Sequence, residues 1–204
     1  CQNPRSIPKV RMLDPTCGSG TFLALGLLLS SSRNRDDGAT TVTVVGYDVN
    51  EKCVEGTLDN LIYLFGEAFV RERARVVVHD SSLPIRRGGD DGNNDGDDGL
   101  FDCAVTNLPW GQNTSTRQDN REIIKQVYNA LHYGGHCAII SKCTLDQAEL
   151  EGIGFDVIET ASIPPKDFTL PRSRKGRRER PSNLGGSDCI VSILVKRDNE
   201  NDTL

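Results

Sequence analysis

The chain has no apolar run approaching the ~20 residues that a membrane-spanning helix requires. Its longest, Phe22–Leu29, reads as one face of a helix, and no signal-peptide pattern precedes it. Histidine is scarce: His79, His132 and His136 stand without metal-ligand spacing, and no CxxC pair occurs, so no metal is expected. Cysteine is present but unpatterned. Cys1, Cys17, Cys53, Cys103, Cys137, Cys143 and Cys189 are odd in number and widely spaced, which excludes a zinc framework or a secreted disulfide scaffold. Buried free thiols in a reducing compartment are the expectation, hence an intracellular location. The cytoplasm comes first, with nucleus or organelle left open. There is one tryptophan, Trp110, set between a proline and a glycine. The first residue is not methionine, so a fragment or a processed product is expected, with upstream domains absent from this sequence.

What is present is enough for one domain spanning residues 1–204. The apolar fraction of 36% is low because a few polar stretches dilute it. The net charge of −5 argues against a uniformly basic nucleic-acid binder, yet it averages two opposed runs. Gly88–Gly99 carries five aspartates and no base, whereas Arg172–Arg180 carries six bases and one acid. The acidic insert, taken as 86–99, holds nothing to bury and is expected to be disordered; it lacks the spacing and terminal Glu of an EF-hand. The basic loop, taken as 171–186, suits phosphate contacts or a solvated surface equally.

Strands and helices alternate. Strand signals fall on Lys9–Leu13, Thr41–Tyr47, Ala74–Val78, Phe101–Thr106, Cys137–Ser141, Phe155–Ala161 and Cys189–Val195. Helical spacing covers Thr21 to about Ser31, Glu51–Phe65, Arg121–Leu131 and Leu145–Glu151. The pattern predicts an α/β fold, a mainly parallel seven-stranded sheet with helices on both faces. The last two strands have no helix between them, so an antiparallel ending is expected.

In open sheets of this kind ligands bind beyond the carboxyl ends of the strands. Four loops lie there, Asp14–Gly20, Asp48–Asn50, Asp80–Ser82 and Asn107–Gly111, and each begins with Asp or Asn. The loop Asp14-Pro15-Thr16-Cys17-Gly18-Ser19-Gly20, leading into Thr21, has neither the lysine of a P-loop nor the third glycine of a dinucleotide fingerprint, where Leu23 stands. Its leading acid repels a pyrophosphate and suits a cation or a hydroxyl-rich ligand. Asp48, followed by Val49, is placed to accept from ribose hydroxyls, and Asp80, followed by Ser81, from an adenine amine. A nucleoside carrying positive charge meets these conditions, and S-adenosyl-L-methionine is such a ligand. The alternative is that each Asp only caps the helix after it.

The stretches "MLDPTCGSGTFLALG", "VVGYDVNEKCVEGTLDNL" and "TNLPWG" resemble the first, second and fourth motifs of the Rossmann-like, class I methyltransferases. In the forms DPxCGSGT and NLP(F/W)G they are similar to the THUMP-associated tRNA guanine-N2 methyltransferases, over roughly Val10–Thr160, with "SNLGGSDCIVSILVKR" similar to the closing strand. The resemblance implies S-adenosyl-L-methionine as cofactor, an exocyclic amine of RNA as acceptor (guanosine N2 in tRNA foremost), and an RNA-binding module N-terminal to this domain. An adenine or cytosine amine, or a non-catalytic RNA-binding subunit retaining the fold, remains the alternative.

An exocyclic amine is a poor nucleophile because its lone pair is delocalised into the ring. The Asn107 side-chain oxygen, which also borders the cofactor, and a backbone carbonyl of Leu108 or Pro109 can each accept one amine hydrogen. Both acceptors favour the tetrahedral nitrogen over the planar one. Pro109 stiffens the loop, and Trp110 offers a stacking face worth ~1–3 kcal/mol per base.

Overall fold

The computed structural model describes residues 8–32, 40–85, 99–109, 120–142, 145–163 and 189–197. Trp110, the acidic stretch before Gly99 and the Arg172–Arg180 run lie outside the described residues.

Seven strands form one sheet: β1 (Lys9–Asp14), β2 (Thr41–Asp48), β3 (Ala74–Val78), β4 (Phe101–Asn107), β5 (Leu131–Ser141), β6 (Phe155–Ile163) and β7 (Cys189–Lys196). Their order is β3-β2-β1-β4-β5-β7-β6. β1 pairs in parallel with both β2 and β4, and β4 in parallel with β5. β7 enters between β5 and β6, antiparallel to each.

Helices cover both faces. On one, α1 (Thr21–Ser32), α2 (Glu51–Phe65) and α3 (Glu67–Arg73) bury Leu23, Leu27, Leu61 and Val70 with Met12 and Val44. On the other, α4 (Asn120–Ala130) and α5 (Gln147–Ile153) bury Ile123, Ile124, Val127 and Leu150 against Leu13, Ala104 and Leu108. Alternation along β4 sends successive side chains to opposite layers, which is how one strand serves both cores. No helix among the described residues is long and apolar enough to cross a membrane.

Several elements depart from the sequence reading. α3 is a separate short helix that the reading passed over. Gly66 ends α2, its N–H donating to the Ile62 carbonyl, and its own carbonyl then accepts from Val70 N–H. The fourth helix stops at Ala130, because Leu131 already belongs to β5, which runs eleven residues rather than the five from Cys137. A register shift between Phe101 and Cys103 lets Leu131 pair with Phe101 while His136 pairs with Cys103. The polar, glycine-containing stretch between them hides that pairing from any periodicity. The fifth helix starts two residues late, at Gln147, where the Asp146 side chain accepts from Ala148 N–H at 2.9 Å. Finally, β1, β2 and β4 each run one residue further than expected, so Asp14, Asp48 and Asn107 are the last residues of their strands.

A candidate cofactor and amine site at the strand ends

The carboxyl ends of β1, β2 and β4 lie side by side because β1 is central to the three. Asp14, Asp48 and Asp80 share one local device. In each the side-chain Oδ1 accepts the backbone N–H two residues on: Thr16 at 3.1 Å, Asn50 at 2.8 Å and Ser82 at 3.0 Å. Short carboxylates make this turn readily, which explains why every such loop starts with the same residue type. Helix capping is not their role. α2 is capped by Asn50, whose Oδ1 accepts from Lys52 N–H at 3.1 Å.

The second oxygen separates the three. Oδ2 of Asp48 accepts the Gly18 amide at 3.0 Å, joining the glycine loop to the end of β2. A carboxylate offers about four lone-pair sites. Two are occupied among the described residues, leaving Asp48 capacity there for hydroxyl donors from a ligand. Asp80 Oδ1 additionally accepts the Ser82 hydroxyl at 2.7 Å.

Asp14 is 1% exposed, and burial pushes its carboxyl up to about 7. The Thr16 amide opposes that shift, and the Asp48 charge adds to it. An acid buried at such cost and facing a second acid is suited to a cationic group, which would relieve both effects. The Cys17 thiol, raised to about 12 by burial and then by the charges of Asp14 and Asp48, stays neutral and is no nucleophile.

The loop between Asp14 and Thr21 is held from all sides. Cys17 N–H donates to the Tyr47 carbonyl at 2.8 Å, and the buried Ser81 hydroxyl donates to the Pro15 carbonyl at 2.6 Å. From α2, Thr57 donates to the Gly18 carbonyl at 2.7 Å and Asn60 Nδ2 to the Ser19 carbonyl at 3.1 Å. Ser19 and Thr21 share a hydroxyl contact at 3.1 Å. Gly18 has φ +52° and a side-chain direction opening on empty space. Gly20, at φ +80°, has no such room, since a Cβ there would stand 2.6 Å from Thr57 Cγ2. Thus Gly20 serves helix packing, and Gly18 leaves a space open.

Asn107 is exposed while Leu108, next to it, is 1% exposed. The buried leucine anchors the loop in the core, and the alternation turns the asparagine side chain out of that core. The Leu108 amide donates to the Ile140 carbonyl at 2.9 Å, so β4–β5 pairing continues past Asn107. Asn120 Nδ2 lies 3.4 Å from the Pro109 carbonyl, bringing the start of α4 to this loop. Half-buried His79 packs its ring 4.9 Å from that of Tyr47.

The structure therefore brings together Asp14, Pro15, Thr16, Cys17, Gly18 and Asp48 with Asn107 across β1–β4, and Ser81 beneath them. Val49 sits in the turn between β2 and α2. Sequence reasoning did not pick out Thr57 or Thr106. Both are buried polar side chains on otherwise apolar faces, and that is the signal that would have found them.

This fold, with a glycine loop after β1 and an acid ending β2, defines a class I methyltransferase architecture. The chain belongs to the UPF0020 family, described as RMKL-like, methyltransferase domain, whose model matches residues 6–145. It is 28% identical over 160 residues to the tRNA (guanine(10)-N2)-dimethyltransferase of Methanothermobacter thermautotrophicus, covering 75% of this chain and 39% of that protein. It is 26% identical over 129 residues to the human U6 snRNA (guanine-N(2))-methyltransferase THUMPD2, covering 63% of this chain and 21% of that protein. The chain thus spans well under half of either relative. TrmN from Thermus thermophilus superposes with a TM-score of 0.55 at 18% identity, covering 93% of this chain and 44% of that one.

Proposed function

We propose that this chain carries out S-adenosyl-L-methionine-dependent methyl transfer to an exocyclic amine of RNA, guanosine N2 in tRNA foremost. The observation that supports this most is the adjacency of two half-sites. The Asp14–Gly20 loop with Asp48 makes one, and Asn107-Leu108-Pro109 makes the other, on neighbouring parallel strands. The names of the two curated relatives, both guanine-N2 methyltransferases, favour guanine over adenine or cytosine.

The residues fit the cofactor on three counts. Asp14 is a buried acid raised by burial and by the Asp48 charge, Asp48 has acceptor capacity left among the described residues, and Gly18 leaves open space beside them. When bound, the cofactor supplies a methyl group made electrophilic by its sulfonium. The chain's own part is positional and electrostatic. Asn107 and the Leu108 or Pro109 carbonyl accept the two amine hydrogens and favour the pyramidal nitrogen. An amide at position 107 is no general base, and none is required, since the proton becomes acidic only as the nitrogen is methylated. Trp110 follows directly in the chain and supplies the stacking face. The base must leave its stack to enter, and the Arg172–Arg180 run would hold nearby phosphates. Recruitment by a further RNA-binding module belongs to the same proposal.

Isothermal titration of the chain with S-adenosyl-L-methionine is the first test, with binding in the micromolar range expected. Nucleoside mass spectrometry of unmodified tRNA transcripts incubated with the chain and cofactor should then show N2-methylguanosine. Absence of binding at millimolar cofactor overturns the enzyme reading, and methylation of adenosine or cytidine alone overturns the guanine assignment.

A further inference from the structure

Thr16 and Thr106, ninety residues apart, bring their hydroxyl oxygens to 2.7 Å. The same Thr16 Oγ1 lies 3.0 Å from the Asn107 carbonyl oxygen. A carbonyl can only accept, and a hydroxyl has one proton. The proton of Thr16 therefore goes to Asn107 C=O, and the buried Thr106 donates its own to Thr16. The chain of donation is Thr106 to Thr16 to Asn107, and it crosses from β4 to the glycine loop and back.

The peptide group that joins Asn107 to Leu108 is consequently held at both ends. Its C=O accepts from Thr16 on the β1 side, and its N–H donates to the Ile140 carbonyl on the β5 side. Two opposed hydrogen bonds fix the plane of a peptide against rotation. That plane decides where the Asn107 side chain leaves the backbone and how the Leu108 unit continues from it. The Thr16 backbone is bound in turn, its N–H to Asp14 Oδ1 at 3.1 Å. Order in the Asp14 loop is thereby passed to Asn107 through one side chain.

We propose that Thr16 is a positioning residue for methyl transfer, tying the cofactor loop to the amine-holding loop rather than presenting its hydroxyl to the cofactor. This rests on the function proposed above. Thr16→Val keeps the shape and removes the hydroxyl; Thr16→Ser keeps the hydroxyl. With tRNA transcripts as acceptor, Thr16→Val is expected to lower kcat by about tenfold, the size of one lost hydrogen bond, with the cofactor KM nearly unchanged, and Thr16→Ser to restore kcat. Thr106→Val, which frees Thr16 to rotate, should show the same split at a smaller size.

Independently of turnover, hydrogen exchange followed by NMR should show the Leu108 amide exchanging about tenfold faster in Thr16→Val than in the parent or Thr16→Ser, while the Cys103 and Val105 amides are unchanged. A loss confined to cofactor KM, no recovery with serine, or an unaltered Leu108 amide each overturns the proposal. Should the parent chain bind cofactor yet methylate no RNA, the proposed function fails by itself, and the Leu108 exchange rate still decides whether Thr16 positions this peptide.

Discussion

The Gly18 amide donates to the Asp48 carboxylate at 3.0 Å, so the end of β2 holds the loop that follows β1. Asp48 therefore orders the loop, and in the proposed function it also receives ligand hydroxyls. Asp48→Ala is expected to weaken S-adenosyl-L-methionine binding by roughly 10- to 100-fold, the equivalent of one charge-assisted hydrogen bond of about 1.5–3 kcal/mol. Asp48→Asn keeps an acceptor and should fall between. Titration calorimetry measures both, and equal affinities for all three proteins would remove Asp48 from the site.

Gly18 and Gly20 predict opposite phenotypes. Gly20→Ala meets Thr57 Cγ2 at 2.6 Å with φ at +80°, and urea unfolding should show a loss of roughly 2–4 kcal/mol. Gly18→Ala meets nothing and bears only the left-handed strain, about 1 kcal/mol. Its methyl group enters the open space, so cofactor affinity should drop by about tenfold or more, the penalty for crowding a filled pocket. Full affinity in Gly18→Ala would place the ligand elsewhere.

Asp14 should make cofactor binding and stability depend on pH in opposite senses. Its carboxyl titrates near 7, raised from 3.8 by burial, so the ionised form that a cation prefers is populated as pH rises through 7. Affinity for S-adenosyl-L-methionine should therefore climb from pH 6 to pH 8 and flatten above it. The unliganded chain behaves inversely. The favourable contribution of the neutral acid is complete below about pH 4 and is lost as pH rises through 7. Asp14→Asn should thus leave melting unchanged at pH 4 and stabilise the unliganded chain at pH 8, by up to about 4 kcal/mol. It should also flatten the binding profile. Calorimetric scans and titrations across that range decide, and a pH-independent affinity in the parent chain counts against Asp14 as the cation's partner.

Asn107 should separate chemistry from binding. It is exposed, so Asn107→Ala is expected to change stability by no more than about 0.5 kcal/mol. Methyl transfer should fall by about 10²–10³, as when one transition-state acceptor is removed. Cofactor affinity measured by calorimetry should stay close to that of the parent. Joint loss of affinity and turnover would mean that Asn107 supports the cofactor loop instead of the amine.

Much of this architecture was legible before any coordinates. Period-two runs such as Thr41–Tyr47 and the 3.6-residue spacing of Val54, Leu58 and Leu61 depend on neighbours within one turn or one strand. The Asp-initiated loops were equally visible, because an Asx turn closes within three residues. Even the adjacency of Asp14 and Asp48 at neighbouring strand ends followed from a general rule about parallel sheets. The length of β5 was not visible, since Leu131 through Gly135 show no alternation and become strand only by pairing with β4 across the Phe101–Cys103 register shift. Nor was α3, a helix too short to persist without its packing on β2 and β3.

The amino-acid order determined the elements, the glycine loop and the residue types at each strand end, because those choices rest on short-range sterics and hydrogen bonding. Only the tertiary structure decided that β7 would insert between β5 and β6 and that Thr57 would hold the Gly18 carbonyl. It likewise decided that Thr16 would meet Thr106 and the Asn107 peptide. Those contacts join segments 39 to 91 residues apart, and the packing of both helical layers on one sheet, not any local preference, sets which strand ends become neighbours.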